Sequence, residues 1–177
     1  MASAQDSYKL SIPKGWGTEK ILFPISFAPR IEYRGVEEIR FTPGWAKKDS
    51  VEYWSYAFLW FLDGNIVFEP VIIEEHLKMY YEGLISNNGT AIPKEKLISV
   101  EVSFQYDVKV NDDKEAFIGT IVMTDYMQQK PIKLNCKAHY KTCPQQKKTL
   151  IFYELSPQPL THEVWTALDK LWIDLKL

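Results

Sequence analysis

Ile98-Ser99-Val100-Glu101-Val102-Ser103-Phe104-Gln105-Tyr106-Asp107-Val108-Lys109-Val110 is the stretch whose reading decides the fold. Apolar and polar residues alternate without a break, and in an extended backbone successive side chains point to opposite faces. The stretch therefore reads as a strand with Ile98, Val100, Val102, Phe104, Tyr106, Val108 and Val110 buried and the intervening residues wet. Asn111-Asp112-Asp113 supplies a turn, and 115–126 returns the chain. The pattern resumes after Pro131, where Ile132, Leu134, Cys136, Ala138 and Tyr140 alternate with Lys133, Asn135, Lys137, His139 and Lys141. A polar loop after Pro144 leads to 149–155. Short connections between such strands predict a four-strand antiparallel meander.

Working outward, two helices flank the meander. Over 70–85, Pro70 suits a first helical turn, and Ile73, Leu77, Tyr80, Tyr81 and Leu84 form an apolar stripe before Asn87-Asn88-Gly89 stops the helix. Over 161–175, Val164, Leu168, Leu171, Trp172 and Leu175 make a second stripe, with Thr161 placed to cap it. Upstream, 8–12, 19–23 and 37–42 read as short strands. The 53–62 run is apolar on both faces, with Trp54, Tyr56, Phe58, Trp60 and Leu62 on one side and Tyr53, Ala57, Leu59 and Phe61 on the other. Strands outnumber helices and are not interleaved with them, so the expected class is α+β: an antiparallel sheet with two amphipathic helices packed on it.

The chain has 177 residues, 46% of them hydrophobic and 14% aromatic, enough for one domain over 8–177 that folds without a metal or disulfide. Residues 1–7 are small and polar and are expected to be disordered. The net charge is −2, with 21 basic and 23 acidic residues and no basic block. That balance argues against nucleic acid as a partner. The longest strongly apolar run, Tyr56 to Leu62, is too short for a transmembrane segment. Ala2-Ser3-Ala4 before Gln5 has the small-x-small pattern of a signal-peptidase site, so export to the periplasm or medium is favoured over a cytoplasmic location. Cys136 and Cys143 would lie about 23 Å apart on one extended strand and on opposite faces, so both are expected to be free thiols.

No GxSxG, P-loop, GxGxxG, HExxH, CxxC or EF-hand pattern occurs, and neither a cofactor nor a metal is expected. The adjacent carboxylates Glu37-Glu38, Glu74-Glu75 and Asp112-Asp113 point apart, and Asp112-Asp113 reads as turn chemistry. Among the histidines, His76 lies on a helix flank and His162 at a helix start. His139 lies on the wet strand face with Lys133, Lys137 and Lys141, a row that could attract an anion. Trp16 and Trp45 sit in Gly- and Pro-containing turns, where aromatic rings can reach solvent and stack on a ligand or anchor a partner. Trp16, Trp45 and His139 are therefore the candidate ligand-binding residues. The leading expectation is a non-enzymatic exported domain that binds a partner protein or a small ligand. The rival is a hydrolase or other enzyme that pairs His76 or His139 with a spatially close carboxylate.

Ser11-Ile12-Pro13-Lys14-Gly15-Trp16, with Phe23-Pro24 after it, resembles the opening of proteins related to PsbP, the photosystem II accessory family. That resemblance implies an antiparallel sheet flanked by helices. Gly35 to Phe41, Pro43-Gly44-Trp45, Tyr53 to Trp60 and Tyr80-Tyr81-Glu82-Gly83-Leu84 are similar to exported bacterial proteins of a family without an assigned activity. This second resemblance implies a bacterial, exported origin and brings no catalytic residues.

Overall fold

The computed structural model describes residues 8–177. The expectations for 1–7, disorder and the signal-peptidase pattern, fall outside them. Seven strands form one antiparallel sheet: β1 (Gly17–Leu22), β2 (Gly35–Phe41), β3 (Tyr56–Asp63), β4 (Glu101–Asp107), β5 (Glu115–Asp125), β6 (Lys130–Cys143) and β7 (Lys148–Ser156). Their spatial order is β1-β2-β3-β7-β6-β5-β4. The α+β class and the C-terminal meander are therefore as the alternation predicts, and β7 closes the meander against β3 in the middle of the sheet. The 8–12 strand is reduced to a single bridge between Lys9 and Lys176.

Helix α1 (Pro70–Asn88) has 19 residues and carries the chain from β3 to the far edge at β4. That crossing spans four strand spacings, about 19 Å. A helix of this length reaches about 28 Å, so it can lie diagonally over one face. Ile73, Leu77, Tyr80 and Tyr81 bury against Tyr56, Phe58 and Trp60 of β3 and Tyr153 of β7 in the larger core. Glu74 of α1 accepts a 2.7 Å hydrogen bond from the backbone N–H of Phe104 in edge strand β4.

Helix α2 (Val164–Ile173) covers the other face. Trp165, Leu168, Leu171 and Trp172 pack there on Leu59 and Phe61 of β3 and Leu150 and Phe152 of β7. The helix begins three residues later than the sequence suggests. His162 Nδ1, in place of Thr161, accepts the Val164 N–H at 3.0 Å. Cys136 lies in the larger core and Cys143 in the smaller one, both free and buried, which is the opposite-face arrangement their odd spacing implies.

Two burial expectations are corrected. Ile98, Tyr106, Val108 and Val110 are exposed, Val108 by 79%, because the sheet extends past the helix that covers it and β4 is its margin. On β6 the polar face is not uniformly wet: His139 is buried. Tyr53 also departs from the alternation and joins the larger core, because Trp54 takes a left-handed backbone (φ 55°) and β3 starts only at Tyr56.

Gly83 in α1 is required by a close approach. A Cβ there would overlap the Phe27 carbonyl oxygen, so the glycine lets the 23–31 segment cross against the helix backbone. Gly83→Ala is expected to cost about 1–2 kcal/mol through overpacking, read as a lower urea midpoint.

Candidate ligand-binding groove

A cavity of about 540 Å³ opens between the β1–β2 margin and the C-terminal part of α1. Four pieces of chain build it. On β1 and β2, alternation turns Glu19, Ile21, Ile39 and Phe41 to the α1 side, where they line it. The second piece is the 42–55 loop, which carries Trp45. Thr42 Oγ1 donates to the Ser55 carbonyl at 2.8 Å, Gly44 N–H donates to Glu52 Oε2 at 2.7 Å, and Trp54 N–H donates to the Trp45 carbonyl at 2.8 Å. The third is the β5–β6 turn. Asp125 accepts the Tyr53 hydroxyl at 2.6 Å and the Met127 N–H at 2.8 Å, which holds Tyr126 5.3 Å from the Trp54 ring. The fourth is the 23–31 segment, whose Phe27 stacks edge-on to Tyr80 of α1 at 5.1 Å.

The result is a groove with aromatic walls. Trp45, Trp54 and Tyr56 form a corner with ring centroids 6.0–6.2 Å apart and planes inclined by 55–88°. Phe41 packs on Trp45 at 4.5 Å. Trp54 and Tyr56 are buried in the wall, while Trp45 is half-buried at the mouth. The hydroxyls at the floor are spent inside the protein. Tyr56 and Tyr81 hydrogen-bond to each other, and Tyr80 donates to Glu37 Oε1 at 2.9 Å. Burial raises the pKa of all three tyrosines well above 10, so they remain neutral.

Beneath the floor, Glu37 is fully buried and also accepts the Trp60 indole N–H at 2.5 Å. Burial pushes its carboxyl up to about 7; the two hydrogen bonds pull the other way, and the charge of Glu19 adds to the rise. Burial raises the Tyr126 hydroxyl as well, with the charges of Asp125 and Glu19 adding to it. Glu19 is the one charged side chain lining the groove.

Of the three candidate residues, only Trp45 is in the groove. Trp16 is half-buried on the opposite face, against the core under α2. His139 is also under α2, contrary to the wet-face expectation, stacked 5.4 Å from Trp172. Its Nδ1 is 2.9 Å from Asp113 Oδ2, and its Nε2 is 3.3 Å from Glu154 Oε1, an electrostatic contact outside hydrogen-bond geometry. Asp113 Oδ1 in turn accepts the Trp172 indole N–H at 2.7 Å. Burial opposes the imidazolium, but Asp113 and Glu154 outweigh it and push the His139 pKa up to about 9. Burial would raise Asp113, yet its bonds to His139, the Val110 N–H and Trp172 hold it below the usual carboxylate value.

Asp113 is therefore more than a turn residue, and the cationic row on β6 is not open to an anion at His139. Lys137 and Lys141 lie over the Trp165 and Trp172 rings at 5.2 and 4.4 Å. His76 packs among Tyr33, Trp60 and Phe68, and burial lowers its pKa to about 4. Among the described residues no cluster of His, Cys, Asp or Glu is arranged to hold a metal, and no helix is long and apolar enough to cross a membrane.

Sequence reasoning missed Tyr126, Phe27, Phe41 and Glu19 as site residues; nothing local in the sequence links them. Comparison with protein-family models, curated proteins and solved structures gives no match.

Proposed function

We propose that this chain is a non-enzymatic binding domain that takes a small ligand into the groove between β1–β2 and the end of α1. The observation that carries this reading is the aromatic corner of Trp45, Trp54 and Tyr56 facing a cavity of about 540 Å³. Ligand sites typically enclose about 300–1,000 Å³ behind apolar and aromatic walls with few polar groups. The rival enzymatic reading is less well supported. The buried histidine–carboxylate pair of His139 with Asp113 sits beneath Trp172, and no histidine borders the groove. The export reading rests on the sequence features of Ala2-Ser3-Ala4 and the resemblance carried by the Gly35 to Trp60 segments.

The six tryptophans provide the test, because they divide between the faces. Indole, glucose oligomers and quaternary amines are titrated while the indole N–H resonances are followed by NMR. Binding in the groove is expected to shift Trp45 and Trp54 and leave Trp16, Trp165 and Trp172 in place. Shifts confined to the latter three, or none with any probe, would refute the reading.

A further inference from the structure

We propose that the ligand of the groove is a small organic cation with an alkylated ammonium head, held against Trp45, Trp54 and Tyr56 with its charge facing Glu19. The inference rests on the groove being a ligand site and adds the class of ligand.

Three features select the cation. First, the only charge in the lining is the Glu19 carboxylate, and the lining contains no lysine or arginine. Deeper carboxylates have the same sign: Glu37 lies behind Tyr80, and Asp125 anchors the turn that carries Tyr126. The field of Glu19 reaches into the floor, where it opposes ionisation of Glu37, Tyr80 and Tyr126. An anionic ligand would meet repulsion at the mouth and the base.

Second, the walls are π faces. Three rings inclined to one another around a common corner present their negative faces or edges from several directions, an arrangement suited to an ammonium with apolar substituents. Third, the hydrogen-bonding capacity of the floor is already used. Tyr56, Tyr80 and Tyr81 are paired internally, and Asn88 Nδ2 donates to the Leu84 carbonyl at 2.9 Å. A polyol such as a sugar would lose its water contacts at the floor without replacing them, whereas a methylated ammonium asks for no hydrogen bonds there.

The test compares choline with its neutral isostere 3,3-dimethylbutan-1-ol, and with cellotriose, at constant ionic strength. Binding is read on the Trp45 and Trp54 indole resonances. Choline is expected to bind about tenfold or more tightly than the alcohol. Glu19 is exposed on an edge strand, so Glu19→Gln is expected to fold with an unchanged circular dichroism spectrum. That variant should weaken choline about three- to tenfold and leave the alcohol unaffected.

Equal affinity for choline and the alcohol, or cellotriose binding where choline does not, would overturn the cation assignment and leave the groove reading standing. Silence of both resonances toward all three probes up to about 10 mM, the weak limit of useful affinity, would overturn both.

Discussion

Replacing Asp113 with alanine is expected to lower the stability of the fold by about 3–5 kcal/mol, the cost of stripping one partner from a buried charged network. Asp113 joins three elements at once. Through Oδ2 it meets His139 of β6 and the Val110 N–H before the turn, and through Oδ1 it accepts the Trp172 indole N–H of α2. Its loss leaves an imidazolium under Trp172 with only Glu154 beside it and leaves the indole N–H without an acceptor. The measurement is urea unfolding followed by circular dichroism. A loss under about 1 kcal/mol would show that the network is hydrated and cheap to break. Asp113→Asn keeps an acceptor for the indole and is expected to recover part of the loss.

The same network predicts how stability responds to alkali. In the folded chain the His139 pKa is about 9, above the 6.5 of the unfolded state. The stabilising contribution of this group is therefore fully present below pH 6.5 and disappears as pH rises through about 9. The shift corresponds to roughly 3 kcal/mol, lost mostly between pH 7 and 9. Glu37 and Glu154 are also raised, to about 7, chiefly by burial, so most of their destabilising effect has set in by pH 7 and does not account for the later slope. His76 and Asp113 are lowered, so their contributions are lost on acidification and lie outside this window. The urea midpoint is expected to fall steadily from pH 7 to 9, and His139→Gln should flatten that fall. An equal slope in the variant would assign the effect to other groups.

The alternation from Ile98 to Lys141 identified the sheet because a period of two has few other physical meanings. It could not report which stretch of each face has a helix over it. Tyr106 and Val108 carry the buried pattern yet stand at the margin, beyond the reach of α1. His139 carries the wet pattern, yet Trp172 is above it, and Lys137 and Lys141 lay their chains over tryptophan rings with their ammonium groups outward. A binary pattern treats lysine as a sign of water, whereas a lysine at the edge of a helix–sheet contact does both jobs.

The groove was less legible still. Trp45 could be named because its turn was visible, but its partners come from β1, the 23–31 segment, the end of α1 and the β5–β6 turn. The left-handed residue that aims the corner, Trp54, is not a glycine or asparagine, so no local preference announces it.

The bond from Phe104 to Glu74 also has a bearing on how molecules of this chain meet one another. An unpaired N–H on a sheet margin is a place where a foreign strand can begin to zip, and here the opening tooth is already occupied by a carboxylate of the same molecule. A neighbour that sought to extend the sheet on that side would first have to prise the helix side chain from its seat. The crossover helix thus acts as a stopper against polymerisation as well as a roof.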